Sequence, residues 1–237
     1  MSEMRAFLYG PQTFSYKLKR RDRRTLEISV LPDQTIEVVA PCDAADDAIE
    51  RRMRNRASWI KRQLQYFDQF QPRTPARRYV SGETHLYLGR RYRLTVIRAL
   101  QLNVKLKGGY IEVHTHRPGQ VDLVRQQLDD WYKEKAHDQF RKLMASSLSR
   151  FSNSAEFEPV GLIIRQLRGR WGSMSPAGRL VLNRRLIQAA RHEIDYVITH
   201  ELCHRRFHHH GPEFYKLLGR VMPDWEKRKE SLEKRLI

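Results

Sequence analysis

The string His200-Glu201-Leu202-Cys203-His204 constrains this chain more than any other. On a helix, positions i and i+4 share a face, so His200 and His204 present two imidazoles to one metal ion. Glu201, next to the first histidine, is placed to take a proton from a water at that metal without being a ligand itself. A catalytic zinc usually has three protein ligands and one open position, and His210 is the best third ligand. An unbroken helix would carry His210 about 120° round from His204, at about 100° per residue. The helix must therefore end near Phe207 or His208, and His208 and His209 are the alternative third ligands.

The flanking residues support a helix. Ile194, Val197, Ile198 and Leu202 recur at the spacing of a half-buried helix, and Gly211-Pro212 marks a turn into a new one. Cys203 falls at a non-ligand helix position, where a small buried residue is expected. With Cys42 it makes two cysteines far apart in sequence, which is no disulfide framework. No apolar run approaches the roughly 20 residues of a membrane span, and Met1-Ser2-Glu3-Met4-Arg5 lacks the layout of a signal peptide. The expectation is a cytoplasmic protein with no membrane partner.

A net charge of +18 asks for an acidic partner or a solvated basic face, and nucleic acid is one candidate. Lys17, Lys19, Arg20, Arg21, Arg23 and Arg24 form one cluster, and Arg51, Arg52, Arg54, Arg56, Lys61 and Arg62 a second. Neither is interleaved with aromatics as a platform for single strands would be.

Thr25 to Val30 and Thr35 to Ala40 alternate around Leu31-Pro32-Asp33-Gln34, which predicts a hairpin. A helix follows with Ile49, Met53, Ala57, Ile60, Leu64 and Phe67 on one stripe, and Gln71-Pro72-Arg73-Thr74-Pro75 reads as a linker. Four strand-like pieces between residues 85 and 114, with turns at Gly89-Arg90 and Gly108-Gly109, suggest a meander. His114 and His116 near its end are given no metal role. A long helix from about Val121 to Leu148 should be the scaffold for the metal helix. Val160 to Ile164 reads as a strand, residues 168–178 as a loop, and Arg179 to Asn183 as another strand. If that last strand runs beside the cleft with a free edge, Leu180, Val181, Leu182 and Asn183 are where an extended peptide would add. Two helical pieces end the chain, and the sequence holds no internal repeats.

Several motifs together resemble the YgjP-like metallopeptidase family, relatives of the SprT-like zincins. They are Arg170-Trp171-Gly172-Ser173, Leu182-Asn183-Arg184-Arg185-Leu186, Ile194-Asp195-Tyr196-Val197, the His200 to His204 string and His210-Gly211-Pro212-Glu213-Phe214-Tyr215. Upstream the resemblance continues through the hairpin, Trp59-Ile60 and Tyr87-Leu88-Gly89, and so runs from about Tyr16 to near the end. Gly211 stands where family members often have Ser, and Tyr215 where Trp is common.

The resemblance implies a Zn2+ peptidase acting on a peptide or protein, with His200, His204 and His210 as ligands and Glu201 as general base. It also implies an α+β, zincin-like catalytic part with the metal helix beside a small sheet. That part is expected over residues 119–237, after a β-rich basic part over 1–118, unless the two form one continuous domain. Arg170, His209 and Tyr215 are candidate oxyanion donors. The alternative is a nucleic-acid-associated protein whose zinc is structural or vestigial, or a protease acting on DNA-bound proteins. The sequence carries no signal for oligomeric state.

Overall fold

Alternating apolar and polar residues joined by glycine turns dictate sheets in the first half of the chain, and helical periods dominate the second. A computed structural model describes residues 2–31, 33–69, 77–167 and 169–236. The expected linker over residues 71–75 lies outside the described residues, as does Arg168 of the expected loop. The chain divides into two compact units, Met1–Thr74 and Pro75–Leu236.

The first unit contains β1 (Ser2–Tyr9), β2 (Gln12–Arg21), β3 (Glu27–Val30), β4 (Ile36–Pro41) and α1 (Asp46–Asp68). Its sheet has the order β1-β2-β4-β3, with β2 and β4 parallel and the other pairs antiparallel. The expected hairpin is β3 and β4. The preceding hairpin of β1 and β2 was not expected, because the charges of Lys17, Lys19 and Arg21 mask the buried alternation of Phe14, Tyr16 and Leu18. Those residues and Ile36, Val38 and Ala40 of β4 pack with Ile49, Met53, Ala57 and Ile60 of α1 in one core.

The second unit opens with β5 (Thr84–Tyr87), β6 (Arg90–Arg98), β7 (Asn103–Lys107), β8 (Tyr110–Thr115) and α2 (Val121–Leu148). This sheet is not the expected meander. Its order is β5-β6-β8-β7, with β6 and β8 parallel. The turn signals specify the β5–β6 and β7–β8 hairpins, but they do not say which strand fills the place beside β6. The connectivity therefore repeats that of β1–β4 and α1, and the expectation of no internal repeat fails at the level of topology. The tripeptides Ile36-Glu37-Val38 and Ile111-Glu112-Val113 occupy corresponding registers.

After α2 come α3 (Ser154–Phe157), β9 (Gly161–Arg165), β10 (Gly172–Met174), β11 (Arg179–Asn183) and a 3-10 turn (Arg184–Gln188). Then follow α4 (Arg191–Cys203), α5 (Pro212–Val221) and α6 (Trp225–Leu236). One continuous core links β5–β8, α2, β11 and α4 to α6. The compact boundary thus falls at 74/75 and not at the expected 118, because the sheet before residue 118 shares its apolar layer with the helices after it. Among the described residues, no helix is long and apolar enough to cross a membrane.

Two buried acids fix α4. Glu193 accepts from the Ala190 N–H (2.7 Å), Ser231 Oγ (2.6 Å) and Arg235 Nε (2.9 Å), which ties the start of α4 to α6. Asp195 accepts from Ser147 Oγ (2.6 Å), Arg150 Nη2 (2.6 Å) and Arg228 Nη1 (2.7 Å), joining the end of α2 to α4 and α6. The β5–β6 turn docks at the same end of α4: Leu88 and Gly89 both have positive φ, and a Cβ at Gly89 would lie 2.7 Å from that of Ala190.

Candidate metal centre

Helix α4 stops at Cys203, with His204 as its C-cap, so the chain is free to fold back before His210. The short return ends at Gly211-Pro212, where α5 begins with proline in its first turn. The three histidines meet as a result. His210 Nε2 lies 3.0 Å from His200 Nε2 and 3.1 Å from His204 Nε2, and the ring nitrogens of the three lie within 4.8 Å of one another. Two nitrogens each about 2.0–2.1 Å from a tetrahedral ion are roughly 3.3 Å apart, so the spacing suits one small cation.

The protonation pattern suits it too. His204 Nδ1–H donates to the Phe207 carbonyl (2.8 Å), which leaves Nε2 with its lone pair toward the other rings. Burial lowers the pKa of all three histidines, that of His200 to about 3, so they stand neutral at physiological pH. Beneath them lies Phe214, fully buried, its ring centroid 4.9, 4.6 and 4.8 Å from those of His200, His204 and His210. This support was not singled out from the sequence, where Phe214 reads only as the first apolar position of α5.

Glu201 is 7% exposed, and burial pushes its pKa up to about 7 against the opposing pull of the Met174 backbone N–H and the Arg170 charge. Its carboxylate lies against β10. A Cβ at Gly172 would sit 2.8 Å from Glu201 Cγ and 2.9 Å from Oε1, so that position admits only glycine while the carboxylate keeps its place.

The site opens into a cleft of about 710 Å³ walled by Arg170, Trp171, Gly172, Ser173, Met174 and Pro176 on one side. Tyr196, Val197, His200 and Glu201 of α4 form the other, together with His204, His208 and His210. The expected substrate strand is corrected here. Leu180, Val181, Leu182 and Asn183 belong to β11, which is bonded to β10 on one side and β9 on the other and is buried. It has no free edge to offer. Asn183 instead clamps the approach to β10, donating from Nδ2 to the carbonyls of Leu167 (3.1 Å) and Arg170 (3.0 Å). The strand facing the cleft is β10, concealed in the sequence by a stretch rich in Gly and Ser.

Of the oxyanion candidates, Arg170 lines the cleft, whereas His209 and Tyr215 are not among its lining residues. Tyr215 stacks instead on His210 (centroids 6.2 Å) and Trp225 (5.5 Å). Tyr196, one helical turn before His200, also lines the cleft and is not among the sequence candidates.

No characterised protein matches the sequence. A family model does, over residues 24–235, and it is that of the YgjP-like metallopeptidase domain. A match of that length spans the hairpin of β3 and β4, both helical scaffolds and the histidine cluster alike, so the chain belongs to the YgjP-like metallopeptidase family.

Proposed function

We propose that the protein hydrolyses peptide bonds with zinc held by His200, His204 and His210 and with Glu201 as general base. The observation that carries this reading is the convergence of three neutral imidazoles beside a buried carboxylate in an open cleft. In a three-nitrogen site of this kind zinc acidifies a water and polarises a carbonyl. Other first-row metals accept imidazole, and zinc is favoured by the tetrahedral spacing and the family.

The chain's own residues supply the remaining chemistry. Glu201 accepts a proton from the attacking water and passes it to the leaving amine, a transfer suited to a carboxylate whose pKa lies near neutrality. The substrate lies extended in the cleft, adding to the open edge of β10, which is bonded on its other side to β11. Arg170 and the Tyr196 hydroxyl, both in the cleft wall, donate to the oxyanion. A cytoplasmic setting agrees with two unpaired cysteines, one of them exposed.

A purely structural zinc fits this site poorly, since such sites are closed by four protein ligands and here three face a cleft. Glu201→Gln tests the reading. The variant should hold as much zinc as the wild type and lose peptide hydrolysis by about a thousandfold or more; turnover at the wild-type rate would remove Glu201 from the mechanism.

A further inference from the structure

The excess charge does not reside where the two conspicuous clusters suggest. Residues 1–74, which contain both, carry 14 Lys and Arg against 10 Asp and Glu, whereas residues 75–237 carry 31 against 17. In the second unit, cross-strand register gathers part of that excess on one sheet face. Residues paired across neighbouring strands project to the same side, and successive residues alternate. Leu94, Ile111 and Val113 are buried in the core shared with α2, so their neighbours along the strands face the other way.

On that outer face Tyr110 is paired with Arg93 on one side and with Lys107 on the other. Arg91 continues the β6 line. Lys105 occupies the next row with Glu112 and Thr95. All four cations are exposed, and Tyr110, 45% exposed as a residue, lies between two of them. Glu112, the one acid in these rows, lies against His114, with Oε2 and Nε2 3.5 Å apart. The row therefore alternates cation, aromatic, cation, the interleaving that the two sequence clusters lack.

We propose that this outer face of β5–β8 binds single-stranded nucleic acid, with a base stacked on Tyr110 and phosphates at Arg91, Arg93, Lys105 and Lys107. Stacking on a tyrosine needs an unpaired base with an open face, while the cations read only the backbone. A duplex encloses its base faces and leaves Tyr110 without a role. Because the contacts are stacking and charge, sequence preference is weak, and DNA and RNA share the recognised chemistry. The surface is independent of the chemistry at His200.

The test uses the full chain and labelled DNA and RNA single strands of about 16 nucleotides, with the matching duplex as competitor, read by fluorescence anisotropy. Wild-type protein should prefer the single strand and weaken steeply between about 50 and 200 mM salt. Tyr110→Ala should weaken it about tenfold. Lys105→Glu with Lys107→Glu should weaken it further and flatten the log–log salt slope by about 0.7 for each cation removed. Reversing Arg51, Arg52 and Arg56 on α1 should change affinity less than twofold. Melting temperatures at the wild-type value establish that these exposed changes leave the fold intact. Salt-insensitive or absent binding by the wild type, equal affinity for duplex, full affinity in Tyr110→Ala, or a loss that follows the α1 changes would each overturn the proposal. Binding of one sugar type alone would identify the ligand as DNA or RNA and support it.

Discussion

The two runs of four strands and a helix share one connectivity and put it to different uses. In each, the second and fourth strands are parallel neighbours and the helix follows the fourth. Buried positions correspond too: Ile36, Val38 and Ala40 match Ile111, Val113 and Thr115, and Ile49 and Met53 match Val124 and Leu128 at equal separations. The helices then diverge. α1 buries one stripe and exposes Arg51, Arg52, Arg54 and Arg56, while α2 is longer and carries buried residues as far as Ser147, which bonds to Asp195 of α4. The difference teaches that the sheet and helix are a scaffold, and that the chemistry comes from the elements built onto the second helix.

That contrast breaks most readily at Asp195. Asp195→Ala leaves Arg150 and Arg228 without their shared carboxylate and should cost about 3 kcal/mol of stability in urea unfolding. Arg52→Ala on the exposed face of α1 should stay within about 0.5 kcal/mol; equal losses would mean that α2 and α4 are not coupled as described. The role of the added sheet sharpens at Gly172. Gly172→Ala should push the Glu201 carboxylate aside and lower hydrolysis about a hundredfold with zinc retained, and an unaffected rate would show that the base has room to move.

A smaller effect separates the units by pH. Each of the ten histidines lies beyond residue 74. Burial lowers the pKa of His85 and His200 below 6.5, so the unfolded chain binds more protons than the fold as pH drops through that value. Stability present above pH 6.5 is lost as pH falls toward the folded values. In chelator-treated protein, Glu201 and Glu233, whose pKa values burial raises to about 7, stabilise the fold as they gain protons and oppose this loss. The histidine share is therefore read against His85→Gln: between pH 7.5 and 5.5 the wild type should lose roughly 1 kcal/mol relative to that variant. Unfolding of the first unit should not move over the same range, and a parallel shift there would refute the assignment.

Much of this was legible in the sequence. The periods of α1, α2 and α4 and the glycine turns after Tyr87 and Lys107 specify their elements by local chemistry, and the spacing from His200 to His204 specifies a shared face. What stayed hidden depends on contacts between distant segments. Nothing local says that β8 inserts beside β6, or that β11 is central while the short β10 faces the cleft. Phe214 and Tyr196 carry the residue types of core positions, and only the return of the chain after His204 reveals that Phe214 supports the three histidines. Pro118-Gly119 carries the local signal of a boundary, whereas the core runs through it.

The most direct test of the central claim is the metal content of the purified protein, measured by elemental analysis beside His204→Ala and His210→Ala. The account predicts about one zinc per wild-type chain and a large loss of it in both variants. Zinc retained in His210→Ala would contradict the three-histidine site, and a wild-type chain that takes up no metal when zinc is offered would contradict the metal centre itself.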